Sequence, residues 1–139
     1  MPNRILIPID GSPQSARAVE FAVTEWPDAE LTLLHVINPV SAGYGPSAGV
    51  PSGAEEWYEN AKTDADELLT EATPKGEIDA STMTEVGRPA RTIVEVADEA
   101  GYDHIVMGSH GRTGVSRIIL GSVAEAVTRN ATVPVTVVR

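Results

Sequence analysis

The chain has 139 residues, with twenty aspartates and glutamates against ten lysines and arginines, and no cysteine. That length is most economically one domain, residues 1–139, with a core large enough to need no staples. A net charge of −10 argues against nonspecific binding to nucleic acid or to an anionic membrane, since both need a dense cationic face.

Disulfides and thiolate metal sites are impossible, and His35, His104 and His110 are too scattered to suggest a zinc site. No basic region followed by an apolar run opens the chain. No apolar stretch approaches the roughly 20 residues that a bilayer span requires, so the expected location is the cytoplasm.

Apolar runs of strand length alternate with stretches of helical period, the pattern of βαβ units and a parallel sheet. The first strand is expected over Arg4–Ile9. Ser12 and Pro13 then make an N-cap and first-turn pair for a helix that places Ala16, Val19, Ala22 and Val23 on one face and stops before Pro27. The second strand is expected over Glu30–Ile37. After it, residues 38–54 hold four glycines, three prolines and three serines, too irregular for an element and too long for a simple connector, which reads as a mobile flap.

A helix over about 55–71 follows the flap, opening with Trp57 and Tyr58; these could stack on a base, although anchoring the helix is the commoner role. The third strand, Ile78–Val86, carries Ser81, Thr82, Thr84 and Glu85 and is polar enough for a sheet edge. Pro89 opens the third helix, with Ile93, Val94, Val96 and Ala97 inward and Gly101 at its end. The fourth strand is Asp103–Met107. The fourth helix runs from Ser122 to about Asn130 with Val123, Ala126 and Val127 toward the sheet, and Thr132–Val138 makes the fifth strand.

Between the fourth strand and fourth helix the sequence is Met-Gly-Ser-His-Gly-Arg-Thr-Gly-Val-Ser-Arg-Ile-Ile-Leu-Gly-Ser, from Met107 to Ser122. Gly108, Gly111 and Gly121 let backbone N–H groups approach an anion without interference from a Cβ atom. Ser122 and Glu125 form a Ser-x-x-Glu capping box, marking a helix start whose N–H groups suit phosphate oxygens. The segment is not a Walker A loop, since Lys62 and Lys75 are both distant, and no Gly-x-Gly-x-x-Gly follows the first strand.

Other residues carry two readings. Asp10, before Gly11-Ser12, is a turn residue or a ligand to a nucleotide or metal. Arg112 and Arg117 could neutralise phosphates or stay solvated. His110 invites a catalytic role, but no Gly-x-Ser-x-Gly elbow is present to supply a nucleophile. His35 reads as a satisfied core histidine and His104 as a surface residue.

Pro8-Ile9-Asp10-Gly11-Ser12, Leu34-His35-Val36-Ile37, Val86-Gly87-Arg88-Pro89, and Gly108-x-x-Gly111 followed by nine residues and Gly121-Ser122 together resemble the universal stress protein family, in its ATP-binding branch. The resemblance spans essentially the whole chain. It implies an α/β fold, Rossmann-like and akin to the adenine nucleotide alpha hydrolases: an open five-stranded parallel sheet in the order 3-2-1-4-5 with helices on both faces. By the same similarity Gly108, Gly111, Gly121 and Ser122 would hold the phosphates and Asp10 the ribose or a magnesium ion. The Val36 backbone would pair with the adenine edge, Pro8 would line the adenine pocket, and Met107 would supply apolar surface near the nucleoside.

The implied function is an ATP-binding, or other adenine-nucleotide-binding, stress-response module that changes its surface toward an unidentified protein partner. A slow ATPase or phosphotransferase using the same pocket, and a nucleotide-free interaction protein, are the alternatives. The apolar, β-branched Thr132–Val138 segment, at a sheet edge, is expected to pair with a second copy in a homodimer.

Low lysine with abundant carboxylate resembles proteins from salt-loving organisms, whose salt screens such self-repulsion. The melting temperature should therefore rise as potassium chloride goes from low to molar concentration. A flat or falling series of thermal melts would contradict this.

Overall fold

A computed structural model describes residues 2–39, 54–109 and 120–139. Five strands, β1 (Arg4–Pro8), β2 (Glu30–Ile37), β3 (Ala80–Val86), β4 (His104–Gly108) and β5 (Val135–Val138), alternate with helices α1 (Pro13–Glu25), α2 (Ala54–Ala72), α3 (Pro89–Glu99) and α4 (Ser122–Asn130). All strand pairs are parallel and the order is β3-β2-β1-β4-β5. The expected flap, residues 38–54, lies outside the described residues except for 38, 39 and 54.

The central strands are apolar because both of their faces are covered. Ile5, Ile7, Leu31, Leu33 and Val106 meet Ala18, Val19 and Ala22 of α1 and Leu69 of α2 on one face. Leu6, Leu34, Ile105 and Met107 meet Ile93 and Ala97 of α3 and Ala124 and Val127 of α4 on the other. Right-handed crossovers account for the division. The chain steps one way across the sheet from β1 to β3, then crosses back to β4 and β5, so successive helix pairs fall on opposite faces.

Several helix and strand details depart from the sequence expectation. On α1 the inward residues are Ser15, Ala18, Val19 and Ala22, and Ala16 is exposed. Ser12 fixes this phase: its Oγ accepts the Ser15 N–H at 3.1 Å, while Ser15 Oγ donates to the Ser12 carbonyl at 2.9 Å. On α4, Ala124 and Val127 are buried and Val123 and Ala126 sit at the margins. Strand β5 begins only at Val135, because Pro134 has no N–H for a ladder, although its carbonyl accepts the Ile105 N–H at 3.0 Å. Strand β3 occupies one edge, with Ser81, Thr82 and Glu85 exposed as its composition suggested.

At the amino ends of the strands, the Asp103 carboxylate accepts the N–H groups of Asn3 and Arg4 at 3.1 and 2.9 Å. The Arg4 guanidinium lies 4.5 Å from the Tyr102 ring centroid and donates to the Ala100 carbonyl. Tyr102 in turn donates to the buried Thr32 hydroxyl at 2.9 Å. This end of the sheet is closed by structural bonds, which leaves the carboxyl end for a ligand. Among the described residues, no helix is long and apolar enough to cross a membrane.

His104 is not a surface residue. Its ring packs on Trp26 with centroids 5.0 Å apart, and Nε2 lies 2.7 Å from Thr136 Oγ1 on β5. Burial pushes its pKa below the ordinary value of 6.5. As pH falls, the unfolded chain therefore takes up this proton first; stability is complete above 6.5 and is lost as pH falls from there toward the lower folded value. Melting temperature should drop between pH 7.5 and 5.5 by more in the wild type than in His104→Gln, and equal drops in differential scanning calorimetry would refute it.

Candidate functional site

Strand order reverses on either side of β1: its neighbours β2 and β4 lead to chain segments running to opposite edges. Connections from adjacent strand ends therefore part above the sheet and open a crevice there. A cavity of about 330 Å³ fills that crevice. The first turns of α1, α3 and α4 and the ends of β1, β2 and β4 wall it in.

Of the nine candidate site residues, seven line this cavity: Pro8, Asp10, Val36, Met107, Gly108, Gly121 and Ser122. Gly111 and Arg112 lie outside the described residues, as do His110 and Arg117. Trp57 and Tyr58 are not part of the cavity wall. His35 is, and its Nδ1 stands 2.7 Å from the Ile9 carbonyl oxygen, so it is half-buried at the site rather than deep in the core. The signal available in the sequence was its position one residue before Val36, at the end of a strand instead of its middle.

Asp10 is held by the elbow between β1 and α1. Its Oδ1 accepts the Ser12 N–H at 2.9 Å, and Gly11 between them takes φ +82°, a left-handed conformation that glycine adopts without strain. The turn role and a ligand role are thus compatible, because Oδ2 is not used by the turn. Among the described residues no group of three histidines or carboxylates could hold a metal ion by itself. A magnesium ion here would take one carboxylate oxygen from Asp10 and the rest of its shell from phosphate and water, a donor set that this cation accepts.

The glycines act differently from one another. A Cβ on Gly108 would lie 2.7 Å from Gln14 Cβ and 2.9 Å from the Gln14 backbone carbon, so this glycine allows α1 to pack on the end of β4. Gly121 has φ −63° and ψ 160°, which other residues adopt readily, and it is the N-cap of α4. Its N–H donates to the Ser109 carbonyl at 2.7 Å, and Ser109 N–H donates to the Val138 carbonyl at 2.7 Å. The Gly121 amide is therefore spent on the Ser109 carbonyl, joining the end of β4 to the start of α4, and not on an anion.

The expected capping box does not form. Ser122 is the first residue of α4 and makes no side-chain cap, while Glu125 pairs with Arg129 at 2.7 Å. The first intrahelical bond is from Glu125 N–H to the Gly121 carbonyl, 2.9 Å. The amides of Ser122, Val123 and Ala124 precede it, at the positive end of the helix, and all three residues line the cavity. The amides at the helix start thus begin with Ser122, which the resemblance named, and do not include Gly121.

Comparison with known proteins gives one consistent result. The model of the universal stress protein family matches residues 1–139. A universal stress protein of Methanocaldococcus jannaschii is 38% identical over 145 residues, covering 99% of this chain and 82% of the relative. The solved structure of UspA from Lactobacillus plantarum aligns with a TM-score of 0.82 at 26% identity, covering 99% and 97% of the two chains. The fold is shared by a universal stress protein in complex with cAMP, at TM-score 0.62 and 24% identity over 99% and 97% of the chains. It is shared equally by one from Archaeoglobus fulgidus in complex with dAMP, at TM-score 0.62 and 20% identity over 99% and 98%. With its whole length matched by the family model, this chain belongs to the universal stress protein family.

Proposed function

We propose that the protein binds an adenine nucleotide, ATP with a magnesium ion, in the cavity above β1 and β4 and acts in the cytoplasm as a nucleotide-dependent stress-response module. The observation that carries this reading is the convergence on one cavity of Asp10, the Val36 backbone and the first amides of α4. Asp10 suits a ribose hydroxyl or the cation, Val36 suits a base edge, and the helix start suits phosphate. Gly111 and Arg112 complete the phosphate side in this proposal, and Met107 and Pro8 supply the apolar walls of the nucleoside end.

Isothermal calorimetry with ATP, ADP and AMP tests the proposal, with product analysis on long incubation to detect turnover. Gly121→Val should abolish binding with the fold retained, since its backbone angles suit valine and the residue lines the cavity. Gly108→Ala should instead lower stability, through the clash with Gln14. Ser122→Ala should weaken ATP by about 0.5–1.5 kcal/mol, the worth of one hydrogen bond. Unchanged affinity in Gly121→Val would sink the assignment.

We also propose that the chain forms a homodimer through its final segment, Thr132–Val138, with β5 as the pairing strand. This strand is the sheet edge opposite β3, and every one of its residues is only partly buried. An uncovered edge of valines is an open template for a second chain. Sedimentation equilibrium should give twice the 14.7 kDa chain mass, and Val137→Lys should give the single mass. A wild-type monomer at micromolar concentration would refute the dimer.

A further inference from the structure

The β1–β2 ladder stops one bond early, and a side chain meets the oxygen that the next rung would use. Along β2, even-numbered residues direct their backbone groups toward β1: Glu30 N–H donates to the Asn3 carbonyl at 2.8 Å, and the Leu34 carbonyl accepts the Ile9 N–H at 2.7 Å. Odd-numbered residues face β3, as the bonds from Leu31 N–H to the Asp79 carbonyl and from Gly87 N–H to the Ile37 carbonyl show. With Arg4 opposite Glu30 and Pro8 opposite Leu34, the next rung would run from Val36 N–H to the Ile9 carbonyl. That oxygen is instead met by His35 Nδ1 at 2.7 Å. A carbonyl only accepts, so the imidazole carries its proton on Nδ1.

We propose that His35 determines base specificity by capping the Ile9 carbonyl, which keeps the Val36 N–H and carbonyl out of the ladder and available to the base of the nucleotide. The inference rests on the nucleotide reading above and adds the residue that makes its base-reading edge. Val36 lines the cavity on the side where β1 has turned away into its elbow, beside Pro8. One N–H and one carbonyl on the same residue match an edge that offers an acceptor next to a donor, as adenine does with N1 and its amino group. Hypoxanthine presents the reverse, N1–H and a carbonyl. A site built to hydrogen-bond one pattern rejects the other because its own polar groups are left unpaired.

His35 is a positioning residue in this scheme and needs no contact with the ligand. Its neutral side chain suffices, since the donor is Nδ1–H. Removing the donor lets Val36 N–H close on the vacant Ile9 oxygen and completes the ladder. The pocket would keep its phosphate end and lose its ability to choose between bases.

Calorimetry with ATP and inosine triphosphate on wild type, His35→Leu and His35→Asn tests this. The wild type should prefer ATP by about tenfold or more, the worth of the paired edge. His35→Leu should bring the ratio close to one, and His35→Asn, which presents an amide N–H near the Nδ1 position, should restore much of it. Two measurements need no ligand: long-range ¹⁵N correlation should show His35 protonated on Nδ1, and hydrogen exchange of the Val36 amide should be fast in the wild type and slowed in His35→Leu. An Nε2-protonated His35, a protected wild-type Val36 amide, or an unchanged nucleotide ratio in His35→Leu each overturns the proposal. If His35→Leu fails to fold, the tautomer and wild-type exchange carry the test. A wild type that binds neither triphosphate overturns the nucleotide reading, while the two ligand-free measurements still judge the ladder stop separately.

Discussion

Parallel strands must surrender their ladder partners at the carboxyl end of the sheet, and the arrangement of the cavity follows from where each one does so. Strand β1 ends at Pro8 and bends through Asp10 and Gly11 into α1, whereas β2 continues to Ile37. Val36 lies past the last paired residues, Pro8 and Leu34, and lines the cavity together with Asp10. On the other side, β4 ends at Gly108, and Ser109 passes its hydrogen bonds to Val138 and Gly121. The polar groups that face the cavity are therefore largely the ends of regular elements, which the packed core below holds in place. Precision of this kind is hard to obtain from loops alone.

Much of the fold was legible because burial on both faces forces long apolar runs on β1, β2 and β4, and because Pro13, Pro89 and Gly101 punctuate the helices unambiguously. The phase of α1 was harder. Ala16 and Ala18 are equivalent in hydropathy, and the inward turn of Ala18 goes with the Ser12 to Ser15 hydrogen bonds and the packing of Val19 and Ala22, which hydropathy alone does not show. Likewise Ser-x-x-Glu at 122–125 fits a capping box by spacing, yet Arg129 lies one turn beyond Glu125 and takes its carboxylate. Local pattern lists the partners available to a side chain and cannot rank them.

The site was legible to a similar degree and for a related reason. Motifs at strand ends, such as Asp10 and Val36, follow from topology once strand order is known, and they converge as the family resemblance implied. His35 escaped because hydropathy averages over a strand, and a polar residue at its end looks like one in its middle. Gly108 has a second role that the motif did not reveal. Its placement in a glycine-rich motif suggested ligand access; it lines the cavity, and a Cβ there would also meet Gln14 of α1, at the Cβ first and then at the backbone.

The bond between the Ser109 carbonyl and the Gly121 amide ties together the two ends of a long connection at a fixed separation. The bond sets the end of β4 and the start of α4 relative to each other. A segment anchored in this way can change length at little thermodynamic cost, since each doubling of a closed loop adds only about 0.6 kcal/mol of closure entropy. Changes of length between two residues joined in this way are therefore a route to new ligands on an unaltered scaffold.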